Sequence, residues 1–234
     1  MTPTAFPQPY TTVDVVIFTV ADSALRVLLS RRPPDPSEPY PATPCLPGGY
    51  IDIAQDATLY DCALRKLREK TGFAAPYLEQ LGSWGSAGRD PRGWTATHVY
   101  FALVPPPPDA AAWPQADAAC AQPLAFDHNE ILRTALARLR SKVEYTSLPA
   151  FLLAEPFTLP QLQRVYEIIL GRNLIALFHN NHITWHQLLR IKRLLPFVPT
   201  NAHLQGGFLL QRANDTLGRE LLRVVDQRTH HNNR

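Results

Sequence analysis

The prolines constrain this chain more than any other feature. Twenty-three of them, against eleven glycines, fall in clusters along 234 residues. Proline fixes φ and lacks a backbone donor, so a cluster cannot lie inside a helix or a central strand. Seven prolines stand between Arg31 and Pro47, which makes that stretch an irregular loop, and Pro105–Pro108 ends the segment before it. Regular structure is confined to the intervals between these clusters. Val13–Val20 (VDVVIFTV) and Leu25–Leu29 (LRVLL), separated by Ala21-Asp22-Ser23, read as a buried hairpin. Gly48-Gly49 allows a tight turn or a close backbone approach. A helix follows, with Asp56 as the expected N-cap, Leu59, Ala63 and Leu67 on one face and Gly72 at C′. Leu78–Trp84 reads as a short strand and Trp94–Val104 as a long one. Asn129–Lys142 has helical period, with Ile131, Ala135 and Leu139 in register.

The chain changes character near Leu153–Thr158. Thr158 suits a helix cap, with Pro160 in the first turn and an apolar stripe running to Gly171. A second helix is expected over Thr184–Leu195, and Thr200–Arg212, with Gly206-Gly207, reads as a hairpin. Helix, helix, hairpin is the order of a winged helix. Charge divides at the same place. Residues 1–155 hold 13 Lys/Arg against 16 Asp/Glu, whereas residues 156–234 hold 10 against 4, with six of the eight histidines. Such a split is either a solvated surface or a C-terminal part that meets a polyanion. Hydrophobic residues at 45% and charged residues at 18% are a globular composition. No apolar stretch approaches the roughly 18 residues of a membrane span, and the N-terminal residues do not read as a secretory signal. Three scattered cysteines make neither a disulfide framework nor a zinc site and suit a reducing cytoplasm.

The segment LPGGYIDIAQDATLYDCALRKLREKTGF, Leu46 to Phe73, resembles the Nudix box. Gly49 is the leading glycine, and Arg65, Leu67, Glu69, Gly72 and Phe73 match at the far end. The resemblance implies the Nudix α/β/α sandwich, an α/β fold with a mixed sheet between helices. The departures fall on the chemistry. Gln55 stands where the first Glu is expected, the spacing to Arg65 is nine residues rather than seven, and Lys66 and Lys70 replace two glutamates. Positions 66, 69 and 70 share a helix face. In active members of the family, carboxylates there hold Mg²⁺, which requires oxygen ligands. Here two ammonium groups flank one carboxylate, which should repel a divalent ion and remove its Lewis-acid role. Either Lys66 and Lys70 are solvated surface paired to Glu69, or a lysine supplies charge to a bound phosphate. Glu69, Asp52, Asp56 and Asp61 are the remaining metal candidates, Glu69 foremost.

Arg89-Asp90-Pro91-Arg92-Gly93-Trp94 is similar to a segment of Nudix proteins that recognise ADP-ribose. Two arginines there suit a diphosphate bidentately, and Trp94 suits a base or ribose. The alternative is that Asp90 pairs locally with the arginines and Trp94 is core. Ala75–Leu81 also matches that group. With Phe126-Asp127-His128, Lys142–Thr146, Phe157–Leu159 and Leu170–Arg172 in order, the chain resembles the Nudix-related transcriptional regulators of NAD metabolism. Asp127-His128 is expected to cap a helix rather than act as an acid/base pair.

On the Thr184–Leu195 helix, at about 100° per residue, His186, Arg190 and Arg193 fall together opposite Leu188, Ile191 and Leu195. Lys192 flanks the basic face. One face would pack on a core and the other meet DNA, with phosphates positioning and bases specifying. The bland alternative is a basic solvent face.

The resemblance thus implies an effector-binding Nudix-like domain over 1–154 and a winged helix-turn-helix DNA-binding domain over 155–234. Gly48, Gly49, Lys66, Arg89, Arg92 and Trp94 are the candidate effector contacts. His186, Arg190, Lys192 and Arg193 are the candidate DNA contacts. No cofactor is required and no catalytic residue is assigned. The expected protein is a cytoplasmic, non-membrane repressor of NAD synthesis or salvage genes. It would bind double-stranded operator DNA as a homodimer and ADP-ribose or a related nucleotide as effector. The rival is a Mg²⁺-dependent hydrolase of ADP-ribose or another nucleoside diphosphate derivative, using Glu69 and a displaced carboxylate. A third possibility is a regulator that binds a sugar.

Overall fold

The computed structural model describes residues 8–73, 77–154 and 157–173. Strand β1 (Tyr10–Ala21) is central, and both its faces are covered. Val13, Val15 and Ile17 enter one apolar cluster, while Val16 and Phe18 enter another, as the two-residue period of a strand requires. The turn after it has positive φ at Asp22 (48°) and Ser23 (57°) and pairs Ala21 with Ala24. This is the two-residue hairpin geometry that matches strand twist, and it leads into β2 (Ala24–Val27).

The proline-rich loop holds only the two-residue strands β3 (Ser30–Arg31) and β4 (Pro44–Cys45), paired to each other. Strand β5 (Gly48–Tyr50) then pairs antiparallel with β1. Helix α1 (Leu59–Thr71) follows, then β6 (Tyr77–Ser86) and β7 (Thr95–Leu103). The main sheet runs β2-β1-β7-β6, with β1 and β7 parallel and the other pairs antiparallel. The sheet is mixed, as expected.

Helix α1 covers one face of the sheet through Cys62, Ala63 and Leu67. Its N-cap is Thr58 rather than the expected Asp56. Thr58 Oγ1 accepts from Asp61 N at 3.1 Å, because the Asp56 carboxylate is already taken by Arg65 and by the Asp52 amide. Gly72 closes the helix at φ 74°, where a left-handed residue is needed.

The opposite face is covered by α2 (Ala116–Ala121), α3 (His128–Val143) and α4 (Leu159–Leu170). Ile131, Ala135 and Leu139 of α3 are buried, as their spacing predicts. Thr158 caps α4 with a reciprocal capping box to Gln161, and Gly171 ends it at φ 65°. Val165 and Ile169 belong to the same core as α3 and the short 3₁₀ segment Leu148–Leu152. Arg140 Nε donates to the Ile169 carbonyl at 3.0 Å, and Tyr166 Oη to the Thr146 carbonyl at 2.8 Å. The first helix beyond residue 154 is therefore built into the core of the sandwich. No helix among the described residues is long and apolar enough to cross a membrane. The expected helix Thr184–Leu195 and hairpin Thr200–Arg212 lie outside the described residues.

Candidate functional site

A cavity of about 270 Å³ opens where β1, β5, the proline-rich loop, the end of α1 and the turn before β7 meet the start of α3. Asp14, the one charge inside the apolar β1 run, is buried in its lining. Thr97 Oγ1 donates to Asp14 Oδ2 at 2.7 Å, and Arg89 and His128 Nε2 lie at 3.6 and 3.7 Å. Burial alone would raise the Asp14 carboxyl. His128, Thr97 and Arg89 outweigh it and hold the group below the ordinary carboxylate value. His128 Nδ1 accepts from the Leu46 amide at 2.9 Å, so the ring proton sits on Nε2, facing Asp14.

Gly48 is explained by Asp14. A Cβ at position 48 would lie 1.9 Å from Asp14 Oδ1 and 2.8 Å from the Val13 carbonyl. Gly49 has φ 149°, with Lys66 Nζ 3.3 Å from where its Cβ would be. The double glycine thus lets β5 pass over a buried carboxylate while the helix lysine closes from the other side.

The arginines come together at the cavity, but their forks are filled. Arg89 grips Asp127 at 2.8 and 2.7 Å through Nε and Nη2. Its burial lowers its pKa, and Asp127 more than reverses that. Arg92 grips Asp90 at 3.1 and 2.8 Å and reaches Glu38 at 3.5 Å. Arg32 donates to Glu38 at 2.6 Å. The expected local pairing of Asp90 is therefore right for Arg92, while Arg89 turns to Asp127. The expected placement of Asp127 at the N-terminus of a helix is borne out, and the structural bond of its side chain goes to Arg89. Asp127 stands at the N-cap of α3 but makes no side-chain cap bond, because its carboxylate is committed to Arg89.

Two aromatic rings line the cavity, Tyr50 and Phe126. Arg32 lies over the Phe126 ring at 5.3 Å and Arg92 over Tyr50 at 6.0 Å. Trp94, expected against a base or ribose, is half exposed and sits beside Gly85, outside the cavity lining. Tyr50 and Phe126 are the rings that line the cavity instead.

The α1 face does not fit a divalent cation. Arg65 binds Asp56 at 2.8 and 2.6 Å and Glu69 at 2.9 Å. The first of these contacts drives the Asp56 carboxyl far below its ordinary value. Lys66 Nζ stands 3.7 Å from the other Glu69 oxygen. Asp52 accepts from Ala54 N and the Gln55 side chain, and Asp61 accepts from Thr58 Oγ1. Each candidate carboxylate thus has local donors, and among the described residues no three His, Cys, Asp or Glu side chains gather as a metal site. The Arg65 partner is Asp56, one residue after Gln55, which explains how the longer spacing still closes.

Of the expected effector contacts, Gly48, Gly49, Arg89 and Arg92 line the cavity, and Lys66 stands against Gly49. Lys70, Arg31, Arg32, Asp14, Phe126 and His128 also line it. Asp14 was detectable as a charge in a buried strand, and His128 as part of the Asp-His pair. Arg31 and Arg32 had no signal beyond flanking the prolines. His186, Arg190, Lys192 and Arg193 lie outside the described residues.

Known proteins resemble the chain in both parts. Residues 10–144 match the NUDIX domain family, and residues 149–181 match the NrtR DNA-binding winged helix domain. The ADPR responsive transcriptional repressor NtrR of Acinetobacter baylyi is 46% identical over 177 residues, covering 72% of this chain and 70% of that protein. The crystal structure of Shewanella oneidensis NrtR complexed with a 27mer DNA is 39% identical with TM-score 0.64, covering 74% of this chain and 81% of that one. The NUDIX domain of the same Shewanella protein, complexed with ADP ribose, is 39% identical with TM-score 0.51, covering 59% of this chain and 94% of that one.

Proposed function

The chain belongs to the Nudix family, and from that membership we propose that it is an ADP-ribose-responsive transcriptional repressor. Residues 1–154 form the effector-binding part and residues 155–234 the DNA-binding part. The cavity binds ADP-ribose or a closely related nucleotide. The regulated genes serve NAD synthesis or salvage, and the protein works in the cytoplasm as a homodimer whose two winged helices read two half-sites. His186, Arg190, Lys192 and Arg193 are the DNA contacts in this reading.

What carries it is the cavity. Five cations (Arg31, Arg32, Lys70, Arg89, Arg92) stand there against two carboxylates (Asp14, Asp90), with two aromatic rings beside them. A diphosphate flanked by ring systems matches the positive excess and the aromatic rings of that lining, which an uncharged sugar would not use. The relatives that carry a winged helix after the same domain support the DNA-binding half.

Hydrolysis is not the activity this site favours. Catalysis by a bound divalent ion supplies charge stabilisation at the phosphates, and the α1 face opposes such an ion with Lys66 and Lys70. Calorimetry with ADP-ribose and with simple sugars tests the ligand class. Saturable binding of ADP-ribose alone is expected. Binding of a sugar in its place, or turnover of ADP-ribose with Mg²⁺ at ordinary enzyme rates, would overturn the proposal.

A further inference from the structure

We infer that Lys70 supplies the charge for the ligand's diphosphate, so that this site binds a nucleoside diphosphate without a divalent metal. The inference rests on the effector reading above and goes further by naming the residue and the metal requirement.

The five cations of the cavity are not equally available. Arg89 and Arg92 each have both prongs of the guanidinium on an aspartate, and Arg32 is bonded to Glu38. Arg31 donates to the Ala42 carbonyl at 2.8 Å, which leaves its charge uncompensated but fixes its direction. Lys66 faces Glu69. Lys70 lines the cavity, is solvent-exposed, and has neither a hydrogen bond nor an ion pair among the described residues. It lies one turn beyond Lys66 on α1 and four residues from its paired neighbour, so the two ammonium groups share a face. An ammonium on a flexible stem is a point charge with three donors, able to follow a phosphate oxygen without rigid geometry.

A diphosphate entering this cavity needs compensating charge. The carboxylates that would recruit it as a metal ion are absent from positions 66 and 70, and Glu69 is shared between Arg65 and Lys66. Lys70, with no hydrogen bond or ion pair among the described residues and a stem that can follow a phosphate oxygen, is the group placed to meet it, whereas Arg31 is held in direction by the Ala42 carbonyl. The binding so formed needs no ion from solution.

The test is calorimetric titration of the full-length protein with ADP-ribose, in EDTA and in Mg²⁺, for wild type, Lys70→Gln and Lys70→Arg. The wild type is expected to bind equally in both buffers. Lys70→Gln should weaken binding by about tenfold or more, the scale of one charge-assisted hydrogen bond. Lys70→Arg should recover most of it, and the ligand-free melting temperature of all three should agree. Wild-type binding that requires Mg²⁺, or a Lys70→Gln variant that binds like wild type, overturns the role of Lys70 while leaving the effector reading intact. Failure of the wild type to bind ADP-ribose in either buffer overturns both.

Discussion

Gly48 and Asp14 show how much one residue can demand of another. A side chain at 48 meets both Asp14 Oδ1 and the Val13 carbonyl, and backbone cannot yield as a flexible side chain would. Gly48→Ala should cost about 1–3 kcal/mol, the range for overpacking, read from chemical denaturation. An unchanged midpoint would mean that β5 shifts freely. The glycine pair was legible in the sequence as a close approach, but its cause was not. One aspartate in VDVVIF looks like an interruption until Thr97, 83 residues away, is seen to satisfy it. Asp56 was legible as a conserver of helix geometry only in the wrong role. Its carboxyl is held low by Arg65, so the pair stabilises fully above the unfolded carboxylate value near pH 4 and is lost as pH falls toward the folded value. Asp56→Asn should therefore flatten the acid limb of the stability profile. An identical limb in wild type and variant would remove this pair from the acid response.

Secondary-structure elements were the most legible level. Period and caps placed α1, α3 and α4 within a residue or two, because Gly72, Gly171 and Thr158 act through local geometry. Thr158→Ala should destabilise by about 1 kcal/mol, the usual value of an N-cap, and a neutral result would show that the capping box contributes nothing measurable. The proline loop was legible only as irregular. Its contribution to the site depends on Glu38, which sits between Arg32 and Arg92, and no local pattern announces such long-range pairing. Removing that carboxylate releases Arg32 from its ion pair and leaves Arg92 held by Asp90 alone, which raises the positive charge at the cavity mouth. Glu38→Gln is therefore expected to tighten ADP-ribose binding several-fold by calorimetry. Weaker binding would mean that Glu38 positions these arginines rather than competing with the ligand.

At the scale of the whole molecule, the sequence separated two halves by charge and by element order, but the packing joins them. Helix α4 begins beyond the expected boundary, yet Val165 and Ile169 lie in the core that α3 helps to form. The same α3 starts at Asp127 and His128, which bond to Arg89 and Leu46 beside the cavity, and carries Arg140, bonded to the end of α4. Helix α3 thus touches both the cavity's polar network and α4, which lies in the segment that matches the DNA-binding winged helix domain. A ligand that prefers one arrangement of the network changes DNA affinity by its differential affinity for the two states. The pairings at the ends of α3 join residues 38 and 29 positions apart, which is why helical period alone did not reveal them.

The most direct measurement is fluorescence anisotropy of DNA from upstream of this protein's own gene, titrated with the full-length protein at fixed salt, with and without ADP-ribose. Binding that outlasts competitor DNA and that ADP-ribose weakens or strengthens reproducibly is expected of an ADP-ribose-responsive repressor. Specific binding indifferent to ADP-ribose, or none beyond competitor, would contradict that function.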